Sequence, residues 1–101
     1  MSYDFNPDEI ELPNYHFIGG RKVVGGSTEI AFHRPSDGRQ VATFLAADAA
    51  MVDRAAAAAQ QAFTGSGWAE AAPAERAAVL KAWADLIDRE RVRLARLEAA
   101  T

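Results

Sequence analysis

A chain of 101 residues, half of them apolar and a quarter charged, is the size of one small globular domain. Its net charge of −3 leaves no basic run to track a phosphate backbone, and the absence of cysteine removes disulfides, thiolate metal sites and a cysteine nucleophile from these residues. No apolar run approaches the roughly 20 residues of a membrane span, and Met1-Ser2-Tyr3-Asp4 lacks both the basic and the apolar region of a signal peptide. A cytoplasmic setting, without nucleic-acid or membrane partners, is therefore expected.

Residues 1–14 carry two prolines, four acids and little pattern, and read as a flexible N-terminal arm. Residues 15–45 read as a β-hairpin region. "YHFI" and "RKVV" flank Gly19-Gly20, a pair suited to a two-residue turn that demands positive φ. After Gly25-Gly26-Ser27, "TEIAF" alternates, with Ile30 and Phe32 on one side. "RPSDGR" then supplies a turn, with Pro35 presetting φ, Asp37 able to accept from the backbone and Gly38 free to go left-handed, before "QVATFL" returns as a strand.

Residues 46–101 read as helical. Asp48 is placed to cap a helix running to about Phe63, with Val52, Ala56, Ala59 and Phe63 as its expected inward face and Thr64-Gly65-Ser66-Gly67 as its stop. The alanine run from Ala55 to Ala59 favours helix and leaves a thin face. A second helix starts near Pro73, with Glu75 at the third position, while Ala72 at the cap omits half of a capping box. Val79, Leu80, Trp83, Leu86 and Ile87 form a strong apolar stripe. "DRERVR" interrupts it, and Leu94 and Leu97 resume it, which predicts a kink or a junction of two helices near Glu90. Unbroken, such a helix would measure about 42 Å. An elongated arrangement with uncovered apolar surface is the expectation, and the fold class is an α+β fragment of two β-hairpins followed by two or three α-helices.

The glycines of "FIGGRKVVGG" invite a nucleotide reading, but Walker A and dinucleotide fingerprints both need a strand, a glycine loop and a helix in set spacing, and neither pattern is present. A turn followed by a loop is the better reading. His16 and His33 have no partner at metal-ligand spacing and read as ordinary strand residues. Asp85, Asp88 and Glu90 lie among Arg89, Arg91 and Arg93, the pattern of a solvated, salt-bridged face rather than of a carboxylate pair. Ser27, Ser36 and Ser66 have turn neighbours and no recognisable base, and Trp68 and Trp83 read as packing beside the second helix. No catalytic, cofactor-binding or metal-binding residue is assigned.

The order of elements carries more than any one motif. "FIGGRKVVGGST", then "RPSDGRQVATFLAADAAMVDRAAAAAQQAF", then "GWAEAAPAERAAVLKAWADLIDRERVRLARLEA" closely resembles the N-terminal segment of the NAD(P)-dependent aldehyde dehydrogenase superfamily over residues 15–101. The resemblance implies the N-terminal part of a Rossmann-like α/β coenzyme-binding domain in a chain several times longer. In such a chain a downstream cysteine attacks the aldehyde, NAD or NADP takes the hydride and a glutamate-activated water releases the acid. None of those catalytic or coenzyme-binding residues maps onto a position here, so no NAD or NADP binding is expected of this chain alone. Three positions depart from the family pattern: Lys22 stands where many members have an aromatic, Ala72 replaces a capping Ser or Thr, and Thr101 takes the place of an acid near which some members hold a monovalent cation.

Two readings follow. The first is a portion of an aldehyde dehydrogenase, inert without the rest and partnered by the remainder of the enzyme or a homologous subunit, with an oligomer expected. The alternative is a free-standing interaction module derived from this family, which binds itself or a larger dehydrogenase subunit. Neither the aldehyde nor the choice between NAD and NADP is encoded in these residues.

Overall fold

The computed structural model describes residues 4–101, so the first three residues of the expected arm lie outside the described residues. It contains two two-stranded antiparallel sheets and three α-helices, an α+β fragment. The chain divides into two compact units, one of Glu11–Ser66 and the other of Met1–Ile10 with Gly67–Thr101.

In the first unit, β1 (His16–Ile18) pairs with β2 (Arg21–Val23) in the register Phe17↔Lys22. Gly19 and Gly20 take φ of 59° and 77°. Two successive positive φ values make the tight turn whose twist matches the strands, so the glycines bend the chain as expected. β3 (Glu29–His33) pairs with β4 (Gln40–Leu45), with an irregularity between Phe32 and His33. The Phe32 and Phe44 rings meet edge to face, with centroids 5.9 Å apart.

The loop between the hairpins is tied to the end of β4. Ser27 donates its N–H to the Ala46 carbonyl at 2.9 Å, and Ala46 donates to the Thr28 carbonyl at 2.8 Å. Gly26 allows this approach, because a Cβ there would collide with the Ala46 carbonyl.

α1 spans Ala49–Gly65, capped by Asp48, whose Oδ1 accepts the Met51 N–H at 2.8 Å. The helix closes with Ser66 donating to the Ala62 carbonyl and Gly67 at φ 73°. Its inward face is not the expected one. Met51 is 3% exposed, and Ala55 and Ala58 are half-buried, whereas Val52, Ala56, Ala59 and Phe63 are exposed, Phe63 at 80%. The face is turned by one residue, about 100° of helix. The first hairpin sets it: a Cβ on Gly19 would stand only 3.7 Å from the Ala58 Cβ, so the turn lies directly on Ala58.

The second unit starts in a short 3-10 turn at Pro7–Glu9, which the reading of an arm did not anticipate. Asn6 caps it by accepting the Asp8 N–H at 3.1 Å. α2 runs Pro73–Arg89 and α3 runs Arg91–Ala100, so the expected break falls at Glu90, whose φ and ψ are −94° and 6°. Glu75 accepts the Ala72 N–H at 3.3 Å, the one half of a capping box that Ala72 permits. In this unit Arg96 donates to the Asp4 carbonyl at 3.3 Å. No helix of the described residues is long and apolar enough to cross a membrane.

Candidate functional site

The second hairpin turn holds a structured polar cluster. Arg34 donates its N–H to the Arg39 carbonyl at 2.8 Å, and Gly38 donates to the Arg34 carbonyl at 2.7 Å. Asp37 accepts the Arg39 N–H on Oδ1 and the Arg34 guanidinium on Oδ2, both at 3.0 Å. Its carboxyl is held below the ordinary aspartate value, chiefly by that Arg39 N–H and then by the Arg34 guanidinium, with partial dehydration acting the other way. Arg34 is 4% exposed, so this charge is committed to the fold. Sequence reasoning singled out Pro35, Asp37 and Gly38 but not the buried Arg34; an Arg three residues before an Asp in a turn was the available signal.

The other candidates are brought to no common point. His16 reaches the Leu45 carbonyl with Nε2 at 2.9 Å and straps the first hairpin to the end of β4. His33 lies exposed at the end of β3. Among the described residues no three His, Cys, Asp or Glu side chains converge on a metal position. Asp88 pairs with Arg91 at 3.5 Å and Glu90 with Arg93 at 3.3 Å, both one helical turn apart and exposed, as a solvated face requires. Asp85 is also exposed. Ser27 and Ser36 sit in loop and turn, and Ser66 ends α1.

The three departures from the family pattern have local explanations. Lys22 holds its ammonium 4.7 Å from the centroid of the Tyr15 ring, a cation over an aromatic face. Ala72 leaves the start of α2 with a single reciprocal bond. The Thr101 hydroxyl donates to the Leu97 carbonyl at 3.0 Å and so serves the end of α3.

Could either longer helix receive a phosphate at its N-terminus? Anion sites there use free N–H groups and the positive end of the helix dipole. In α1 the Asp48 carboxylate already occupies a first-turn N–H, and in α2 the Glu75 carboxylate sits over the start. Both carboxylates repel a diphosphate. The glycines lie at a strand-to-strand turn and a loop rather than at a strand-to-helix turn. Neither of these two helix starts is open to a diphosphate.

What the structure does present is uncovered apolar surface. On α2, Val79, Leu80, Trp83, Leu86 and Ile87 share one face and are all exposed, Trp83 at 63%, and the helix contains no buried residue. Lys81, Asp85 and Asp88 lie on the opposite side. Trp68 is exposed as well. Trp83 is largely exposed, so the expectation that it fills packing beside the second helix is not met within the described residues.

Comparison with known proteins adds the family. The model of the aldehyde dehydrogenase family matches residues 23–101. An aminoacetaldehyde dehydrogenase of Pseudomonas aeruginosa is 37% identical over 92 residues, covering 89% of this chain and 18% of that protein. A cytosolic 10-formyltetrahydrofolate dehydrogenase of Xenopus tropicalis is 30% identical over 98 residues, covering 95% of this chain and 11% of that protein. The corresponding protein of Pongo abelii is 33% identical over 95 residues, covering 93% of this chain and 10% of that protein. The chain thus spans less than a fifth of these relatives' length. No solved structure matches it significantly.

Proposed function

Because this chain belongs to the aldehyde dehydrogenase family, we propose that it forms the N-terminal portion of an NAD(P)-dependent enzyme that oxidises an aldehyde to a carboxylic acid. In this reading it packs against the rest of that enzyme and supplies no catalytic group. The observation that carries the proposal is a family match over residues 23–101 in a chain that covers only 18% of a 37%-identical relative.

The chemistry supports the division of labour. A cysteine nucleophile cannot come from residues that include no cysteine. The coenzyme diphosphate cannot sit at helix starts already held by Asp48 and Glu75. Attack, hydride acceptance and hydrolysis then belong to the remainder, and this chain serves as scaffold. The family's Rossmann-like coenzyme domain is the body we expect it to complete, in a cytoplasmic, oligomeric enzyme.

The test is a graft. This chain replaces the matching segment of the Pseudomonas aeruginosa relative, and aldehyde-dependent reduction of NAD+ or NADP+ is followed at 340 nm. Turnover by the graft, together with none by the 101 residues alone, is the expected result. A folded graft without turnover, or saturable coenzyme binding by the 101 residues in calorimetry, would sink the assignment.

A further inference from the structure

We propose that Asp37-Gly38 is a latent modification site, a pair able to convert to isoaspartate through a cyclic imide, which the second hairpin turn holds shut by means of the buried Arg34. It is the one Asp-Gly or Asn-Gly pair in the 101 residues. In such a pair the glycine amide nitrogen attacks the aspartate Cγ. A five-membered imide closes, and the N–H proton and the carboxyl OH leave together as one water. Water then reopens the ring. Cleavage of the bond from nitrogen to Cγ restores aspartate. Cleavage of the bond from nitrogen to the main-chain carbonyl carbon gives isoaspartate, whose main chain runs through Cβ and Cγ and whose free carboxylate sits on Cα. One water leaves and one returns, so no co-reactant is needed. Glycine is the follower that permits the attack most readily, because it has no Cβ to crowd the nitrogen.

The turn opposes both requirements of that attack. The carboxyl must be protonated, since a carboxylate has no OH to expel. Asp37 instead accepts the Arg39 N–H on Oδ1 and the Arg34 guanidinium on Oδ2, both at 3.0 Å, which favours the ionised form. The Gly38 nitrogen must lose its proton and swing toward Cγ. Its N–H instead donates to the Arg34 carbonyl at 2.7 Å. Arg34 thus restrains the attacked carboxyl with its side chain and the attacking nitrogen with its carbonyl. It is 4% exposed, so this restraint is part of the fold and not a fluctuating surface contact. Burial does not shield the pair itself. The Asp37 side chain is 37% exposed, and nothing lies within 4 Å of a Cβ built on Gly38. Water reaches the pair, and hydrogen bonds hold it.

Conversion would be costly to the fold. Isoaspartate adds one main-chain atom between Arg34 and Arg39, the two residues that close the turn through the Arg34 N–H and the Arg39 carbonyl at 2.8 Å. β3 and β4 both leave from this turn, so the modified chain cannot close the hairpin in its present register. The modification therefore records past opening of the turn and then prevents its closing.

The experiment ages the 101-residue chain in warm neutral buffer, native and unfolded in guanidinium chloride. Isoaspartate is located by proteolysis and electron-transfer fragmentation, which separates the two isomers. The native chain should gain it at residue 37 at least about tenfold more slowly than the unfolded chain. Arg34→Met, with its hairpin confirmed by amide exchange at Phe32 and Phe44, should gain it severalfold faster than the native parent. Where Arg34→Met opens the hairpin, Arg34→Lys carries the same comparison, since it keeps the charge without the fork of donors, and its rate should fall between. Asp88, with a side chain 75% exposed but Arg89 as its follower, should stay unconverted. Native and unfolded parent chains that convert alike overturn the proposal. Folded Arg34 variants that convert no faster than the parent overturn the part given to Arg34. Isoaspartate gathering at Asp88 as fast as at Asp37 overturns the choice of this pair.

Discussion

Replacing Gly26 by alanine tests whether the link between the loop and the end of β4 holds the first unit together. Gly26 sits at φ +151°, and an added Cβ would run into the Ala46 carbonyl, a backbone atom that cannot rotate aside as a side chain would. The left-handed backbone alone costs about 1–3 kcal/mol for a residue with a Cβ. Relief of the collision moves Ala46 and disturbs two hydrogen bonds, from Ser27 and to Thr28, each contributing about 1 kcal/mol. The sum is about 3–5 kcal/mol, a large share of the roughly 5–15 kcal/mol that holds an ordinary domain folded. Gly20→Ala is the matched control. It also sits at positive φ, +77°, but no atom lies within 4 Å of the added Cβ. It should therefore cost only the backbone part, about 1–2 kcal/mol. The assay is thermal unfolding of both variants by circular dichroism, with amide exchange at Ser27 and Ala46 as the local readout. Faster exchange at those two amides and a markedly lower melt for Gly26→Ala than for Gly20→Ala are expected. Equal melts would refute the steric argument.

Two further predictions concern capping and charge. Asp37 has a folded-state pKa below its unfolded one, so its stabilisation of the turn is present above the unfolded value near 3.9 and is lost as pH falls through the lower folded value. A pH titration of the Arg39 amide shift should show this, and Asp37→Asn should flatten it; an Arg39 amide that titrates alike in both would contradict the hydrogen-bond geometry. Ala72→Ser supplies the missing half of the capping box at an extended residue, φ −59° and ψ 145°, and should stabilise α2 by about 1 kcal/mol, seen as raised helicity by circular dichroism.

The hairpins and helix boundaries were legible because each is fixed by local chemistry. Gly19-Gly20 answers the demand for two positive φ values, Asp48 caps its own helix, and the charged run at Glu90 marks where α2 gives way to α3. The inward face of α1 was not legible. From Ala55 to Ala59 the residue is the same on every side, so the pattern carries no rotational information and the neighbouring hairpin decides. The 3-10 turn at Pro7–Glu9 was overlooked although Asn6-Pro7 carries a cap and an initiator. The spacing of Arg34 to Asp37 in a turn signals their ion pair, but how far the turn folds back over the guanidinium, and so its burial, is set by tertiary structure.

The candidate site follows the same logic in reverse. The sequence was read correctly as holding a strong apolar stripe on α2, and the structure leaves that stripe uncovered. An isolated helix of 17 residues is marginal in water, since propagation barely repays nucleation. The cap at Ala72 is half made, and the two ion pairs near Glu90 are exposed, contributing at most a few tenths of a kcal/mol each. Local terms of that size do not hold a helix in one place. Burying the stripe would, because covering even half of its surface contributes several kcal/mol at about 25 cal/mol per Å². The order of α2 is thus tied to burial of the stripe around Trp83, since no local term in the helix is of comparable size.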